Sequence, residues 1–213
     1  MTDIGGIGKL NHACQSGRHP NADRGFDLYE TPAIAVEELI RVESLPLRIW
    51  EPAAGRGAIV RVLQGRGHDI IASDIVDYGF PLDFVADFLA ITTPPADVDT
   101  ILTNPPFKIL NKFVDHALDL CARAIMLVRL AYYEGVSVRR TEILEHRGLA
   151  RVHVFRKRLP MMHRDDWTGK RSTSAMPFAW FCWERGHQGP VTFDRIGPIS
   201  APRRKIAKSE IAP

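Results

Sequence analysis

The residues of this chain best suited to chemistry are Asn104-Pro105-Pro106-Phe107, which follow the run Thr100-Ile101-Leu102-Thr103. Two consecutive prolines cannot donate to a β-ladder, so they end a strand abruptly. They leave the Pro105 carbonyl without a neighbouring donor, and Asn104 sets a side-chain oxygen beside it. Two acceptors fixed side by side can hold an NH2 group by both hydrogens. An aromatic amine is a poor nucleophile because its lone pair is delocalised into the ring. Accepting both hydrogens localises that pair and stabilises the positive charge that develops as the nitrogen attacks. Phe107 adds an apolar face on which a base taken out of its stack can lie. The plainer alternative is a tight turn whose Asn104 caps a helix starting near Lys108.

A second constellation lies upstream. Glu51-Pro52-Ala53-Ala54-Gly55-Arg56-Gly57 sits between a strand and a helix, where small residues let the backbone turn sharply and approach a ligand. Asp74 ends the next strand, 17 residues after Gly57, where an acid can accept from both hydroxyls of a ribose. A dinucleotide needs a third glycine for its pyrophosphate, and Val60 stands in that place. A sulfonium cofactor has no phosphates, and the acidic Glu51 suits its positive charge.

These groups need a scaffold, and the apolar periodicity supplies one. Strands are predicted over 48–51, 69–73, 84–86, 100–103, 124–130, 152–155 and 178–184, the last expected to end the sheet. Helices are predicted from Thr31-Pro32 (Thr31 as N-cap, Pro32 at the first helical position) and over 58–64, 110–122 and 137–147. Strands alternating with helices imply an α/β fold with a doubly wound, mostly parallel seven-stranded sheet and an antiparallel last strand. Residues 1–25 read as a glycine-rich flexible leader, 26–186 as the folded domain and 187–213 as a basic, proline-containing tail.

The 213 residues suffice for one sizeable core. No apolar run reaches the length of a membrane span, and no secretory h-region opens the chain. Cys14, Cys121 and Cys182 form no paired framework, which points to a reducing, cytoplasmic setting and to no structural metal. A net charge of +3 does not by itself imply a polyanionic partner, but its distribution does. Arg151, Arg156, Lys157, Arg158, Arg164, Lys170 and Arg171 face only Asp165 and Asp166 over that stretch. Such a stripe suits phosphate contacts. The irregular loop 156–177 is therefore the expected nucleic-acid contact, with a solvated surface as the alternative.

The chain resembles the class I SAM-dependent methyltransferases of the amino-group type, in particular the adenine-N6 DNA methyltransferases, from about Tyr29 to Trp183. Tyr29-Glu30-Thr31-Pro32 is similar to the N-terminal cofactor motif, and Glu51 to Gly57 to the glycine motif. Asp74-Ile75 resembles the ribose-binding end of the second strand. Ala86-Asp87-Phe88-Leu89 resembles the adenine-contacting motif, with Asp87 meeting the cofactor's N6 and Phe88 lining its ring; Asp83-Phe84 is a competing register. Asn104 to Phe107 resembles the catalytic motif. The resemblance implies a Rossmann-like SAM methyltransferase fold and S-adenosyl-L-methionine held by Tyr29, Thr31, Pro32, Glu51, Ala53, Gly55, Gly57, Asp74, Ile75, Asp87, Phe88 and Asn104. Methyl transfer to adenine N6 in DNA would follow, by base flipping and direct in-line transfer.

The chain departs from that subgroup in having no obvious target-recognition domain after residue 184. Recognition would then be relaxed, carried by the 156–177 loop, or supplied by a specificity partner or a homodimer. Trp167 or Phe155 would sandwich the target base against Phe107, or pack on the sheet. Tyr132-Tyr133 would edge the pocket or simply pack. Trp180-Phe181-Cys182-Trp183 reads as core. His153 and His163 lack partners at metal-ligand spacing, and Cys182 within a strand argues against thiolate chemistry. Three alternatives stay open: an RNA base amine (adenine N6 or guanine N2), a protein glutamine amide, and a non-catalytic subunit that binds SAM or nucleic acid.

Overall fold

Among the described residues the chain forms eight strands, one more than the sequence predicts. The computed structural model describes residues 30–95, 97–161 and 176–198. The strands are β1 (Arg48–Glu51), β2 (Asp69–Asp74), β3 (Phe84–Val85), β4 (Thr100–Thr103), β5 (Arg123–Arg129), β6 (Leu149–Phe155), β7 (Phe178–Glu184) and β8 (Thr192–Ile196). They form one sheet in the order β3-β2-β1-β4-β5-β7-β6-β8. Pairing is parallel from β3 to β5, β7 is antiparallel to both β5 and β6, and β8 runs parallel to β6. The antiparallel strand is therefore β7, and β8 extends the sheet from within the stretch expected to be a tail. Its first four residues are exposed and only Ile196 is buried. An edge strand with one core residue lacks the apolar alternation that would have marked it in the sequence.

Helices α1 (Ala33–Ile40) and α2 (Ala58–Gln64) cover one face of the sheet; α3 (Leu110–Leu120) covers the other, and the short α4 (Val138–Thr141) leads into the turn that adds Ile143 to that side. A π-helical turn, Glu142–His146, continues α4. The Thr31-Pro32 start shifts by one residue. Pro32 is the extended cap residue, no side chain caps the helix, and Thr31 is buried instead.

The core divides by strand parity, as a sheet covered on both faces requires. Ala124, Met126 and Val128 of β5 point to the α3 side, whereas Ile125 and Leu127 point to the α1–α2 side. On β7, Ala179, Phe181 and Trp183 face α3 while Phe178, Trp180 and Cys182 face α1. The aromatic run is thus core on both faces. Its indoles are hydrogen-bonded as burial demands: Trp180 Nε1 donates to the Ala35 carbonyl at 2.8 Å, and Trp183 Nε1 to the Ile143 carbonyl at 3.3 Å.

One buried carboxylate ties α1 to the far half of the sheet. Glu43, just beyond α1, accepts from Arg123, from Arg151 Nε at 2.6 Å and from His153 Nε2 at 2.6 Å. Arg151 also donates to Glu184. Burial alone would raise the Glu43 carboxyl, but the His153 and Arg151 hydrogen bonds and the two guanidinium charges outweigh it and hold the pKa at about 2. Arg151 is thereby withdrawn from the basic stripe. His153, Glu43 and Cys182 place ligand-type atoms within 4.8 Å of one another, which their sequence spacing concealed. Two guanidiniums on the same carboxylate already supply the positive charge there, so the cluster is a salt-bridge network. Cys121 and Cys182 are buried free thiols.

Replacing Glu43 with Gln leaves Arg123 and Arg151 with only the part-exposed Glu184 as counterion, a loss of about 3 kcal/mol in urea unfolding. Because the folded-state pKa is depressed, Glu43's contribution is complete above the ordinary value of 4.5 and fades as pH falls towards 2. In Glu43→Gln that part of the acid dependence is absent.

Candidate active site

Three parallel strands end at one edge of the sheet, and each ends in a polar side chain. Glu51 closes β1, Asp74 closes β2, and Asn104 follows β4. The β1–β2 register pairs Glu51 with Ala72, so Asp74 projects two residues beyond it along the same edge. A cavity of about 250 Å³ opens there.

The glycine turn forms its floor. Gly55 and Gly57 have φ of +54° and +76°, in the left-handed region that favours glycine. A Cβ on Gly57 would lie 2.2 Å from the Phe80 ring. Gly57 also starts α2 with no side-chain cap. The turn is tied to β2 twice: Ala54 N donates to the Ser73 carbonyl at 3.0 Å, and Gly55 N to Asp74 Oδ2 at 2.7 Å. Asp74 Oδ1 accepts from Val76 N at 3.1 Å. With three backbone donors on it, the Asp74 carboxylate keeps capacity for a further hydrogen bond.

The site is electrostatically hungry for a cation. Glu51 is 2% exposed, and its Oε2 has no hydrogen-bond partner among the described residues. Burial, then the charge of Asp74, raises its carboxyl well above the ordinary value, against the Val60 amide and Arg61, which lower it. Asp74 is raised by burial and lowered by its three backbone donors, Gly55, Val76 and Ile75. The start of α2, where a dinucleotide fold receives pyrophosphate, here donates the Val60 amide to Glu51. An anion beside that carboxylate is disfavoured, and a positively charged ligand is favoured.

Of the sequence-derived residues, the structure brings Thr31, Glu51, Ala53, Gly55, Asp74, Ile75, Asp87, Phe88, Asn104 and Pro106 to this cavity wall. Gly57 shapes the turn behind it, and Pro32 stands at the head of α1. Asp87 accepts from Leu89 N at 3.0 Å and caps the short turn that carries Phe88. Phe88 packs on Phe113 with ring centroids 4.3 Å apart. In the competing register, Asp83 accepts from the Ala72 amide at 2.8 Å, and neither Asp83 nor Phe84 lines the cavity.

The Asn104 turn divides its residues. Asn104 and Pro106 line the cavity and Pro105 is buried. The following 3-10 turn, Phe107–Ile109, and α3 both begin without a side-chain cap, so Asn104 is not a helix cap. Phe107 lies outside the cavity. The Arg129 guanidinium covers its ring at 4.5 Å, and Phe178 packs at 5.9 Å. The open face expected for a flipped base is thus shared with an arginine. Tyr132 is buried and donates to Asn111 Oδ1 at 2.8 Å, while Tyr133 is half-exposed against Phe193. Phe155 packs with the α1-side core.

Arg156, Lys157 and Arg158 are exposed where the chain leaves β6. Tyr29, His163, Arg164, Trp167, Lys170 and Arg171 lie outside the described residues. The sequence reading missed Tyr78, Arg56, Lys108, Ile109 and Phe113 on the cavity wall. Only Tyr78 left a signal, an aromatic four residues beyond Asp74; the others arrive from loops and a helix face that local patterns do not aim.

No family model and no curated protein sequence matches the chain. Solved structures do. A candidate RNA methyltransferase, PH1948 from Pyrococcus horikoshii, superposes with a TM-score of 0.55 at 12% identity, over 75% of this chain and 87% of that one. The fold is a methyltransferase fold. A modification subunit assigned to a type I restriction enzyme of Vibrio vulnificus YJ016 gives 0.52 at 17% identity, over 87% of this chain and 50% of that one. The chain therefore spans half of that subunit's length. Atu636 of Agrobacterium tumefaciens, an O-methyltransferase by prediction, gives 0.53 at 12% identity, over 78% and 86%. Among the described residues, no helix is long and apolar enough to cross a membrane.

Gly57→Ala puts an L-residue at φ +76° and a methyl group into the Phe80 ring. The left-handed conformation alone costs roughly 1–2 kcal/mol. Chemical unfolding of the variant should show a loss of at least that size.

Proposed function

We propose that this chain transfers the methyl group of S-adenosyl-L-methionine to an exocyclic amine of a nucleobase, adenine N6 in DNA being the preferred acceptor. The observation that carries this reading is the position of Asn104, on the wall of the same cavity as Glu51 and Asp74. An amine acceptor and a cation-seeking carboxylate pair share one pocket. When bound, the cofactor supplies an electrophilic methyl on a sulfonium.

The chain's own residues do the rest. Asp74 offers its remaining lone pairs to hydroxyls, and the raised Glu51 carboxyl becomes ionised opposite a positive ligand. Asp87 and Phe88 stand where an adenine ring and its amine would be met. Asn104 accepts from the target amine, holds its nitrogen pyramidal and offsets the charge that develops on it. The buried Pro105 and the Pro106 wall keep that acceptor from moving with a ladder.

An RNA base amine is the second reading. It is supported by the superposition on PH1948, a candidate RNA methyltransferase, while the likeness to the type I modification subunit supports DNA. A specificity partner or a second copy of the chain would supply recognition in either case.

The deciding experiment incubates the protein with labelled S-adenosyl-L-methionine and DNA, RNA or protein acceptors, then identifies the methylated product by mass spectrometry. N6-methyladenine in DNA is expected, reduced by roughly 10²–10³ in rate in Asn104→Ala, the scale of losing one preorganised hydrogen bond. Label in RNA alone selects the second reading, and no label in any nucleic acid overturns both. Cofactor binding carries its own signature. A cation favours ionised Glu51, so binding releases a proton, and affinity rises with pH until it levels above the raised pKa of Glu51 in the free protein. Calorimetric titration of Glu51→Gln should give weaker binding and a flatter profile.

A further inference from the structure

A second cleft, of about 520 Å³, adjoins the first. Lys108 and Ile109 line both, so the segment after the Asn104 turn is the wall between them. The cleft carries four cations, Lys108, Lys112, Arg139 and Arg140, and two aromatic rings, Phe107 and Tyr132. Among the described residues no carboxylate lines it. Asp115 pairs with Arg139 from outside and offsets only part of the charge.

Three features suit this cleft to a polyanion. Lys108, in the 3-10 turn, and Lys112, in the first turn of α3, are both exposed and line the same cleft. Like charges on one cleft wall favour an anion between them. Arg140 is fixed by two contacts, lying over the Tyr132 ring at 5.2 Å and donating to the Glu134 carbonyl. A guanidinium already held over a ring has little freedom to lose when it meets a phosphate. The cleft also shares Lys108 and Ile109 with the Asn104 cavity, so a strand bound in it lies beside the candidate site.

Resting on the nucleobase reading above, we infer that this cleft binds the sugar-phosphate backbone of a single nucleic-acid strand, with Lys108, Lys112, Arg139 and Arg140 contacting the phosphates that flank the target nucleotide. A base whose amine reaches Asn104 must carry its backbone out over Phe107 and Lys108. That path leads into this cleft. The strand is then gripped beside the target, independently of the basic loop that begins at Arg156.

The test measures binding of the full chain to a fluorescent adenine-containing single strand, DNA and RNA in separate arms, across a salt series. Wild type is compared with Lys112→Ala/Arg139→Ala, with the conservative Lys112→Arg, and with Lys157→Ala/Arg158→Ala in the loop. The cleft double variant should bind at least tenfold more weakly at low salt. Its slope of log affinity against log salt should shrink by about 1.4, at 0.7 per lost single-strand phosphate contact. Lys112→Arg should keep the wild-type slope, and calorimetric affinity for S-adenosyl-L-methionine should be unchanged throughout. If Arg139→Ala impairs folding, the exposed Lys112→Ala alone should reduce the slope by about 0.7. An unchanged slope in folded cleft variants, or a wild type that binds neither strand, overturns the inference. Binding through Lys112 and Arg139 without methyl transfer to any base would keep the cleft and overturn the amine-transfer reading instead.

Discussion

Two buried carboxylates at the ends of adjacent parallel strands govern this structure. Parallel strands all point the same way, so the side chain that closes each one arrives at a single edge. Glu51 and Asp74 meet there because β1 and β2 are in register, and the charge of Asp74 raises Glu51. Arg61, outside the cavity, lowers Glu51 only in part, and burial with the Asp74 charge outweighs it. The Gly55 amide on Asp74 and the Val60 amide on Glu51 fix the pair in place without neutralising it.

The opposite half of the sheet solves the same problem the other way. Glu43 is also buried, yet Arg123, Arg151 and His153 surround it and its carboxyl is driven down to about 2. The contrast sets two electrostatic environments in one molecule. A carboxylate ringed by cations joins α1 to β5 and β6, and a pair held by backbone amides faces a cavity. The network also removes Arg151 from the basic surface, which moves the available cations towards the 156–158 segment and the cleft beside α3.

Much of the fold was legible because a sheet covered on both faces writes itself as apolar strands between amphipathic helices. Strands 48–51, 100–103 and 178–184 and helix 58–64 fall where the pattern places them. The departures are local. β8 has one buried residue and thus no period, and Pro32 caps α1 where Thr31 was expected to. The competing Asp83 and Asp87 registers could not be separated by spacing; the structure turns Asp83 onto the Ala72 amide and Asp87 onto the cavity.

Residues joined by the chain itself were readable from the sequence alone: the glycine turn after β1, the acid closing β2 and the Asn-Pro-Pro-Phe turn after β4. Their chemistry follows from short-range geometry, since a strand end, a left-handed glycine and a double proline each act within a few residues. Only the tertiary structure decided what faces what. It set Glu51 against Asp74, laid Arg129 over Phe107, gathered Glu43 with partners 80 to 110 residues away, and opened a cationic cleft between α3 and α4. Those contacts depend on strand order and helix placement, which carry no local signature.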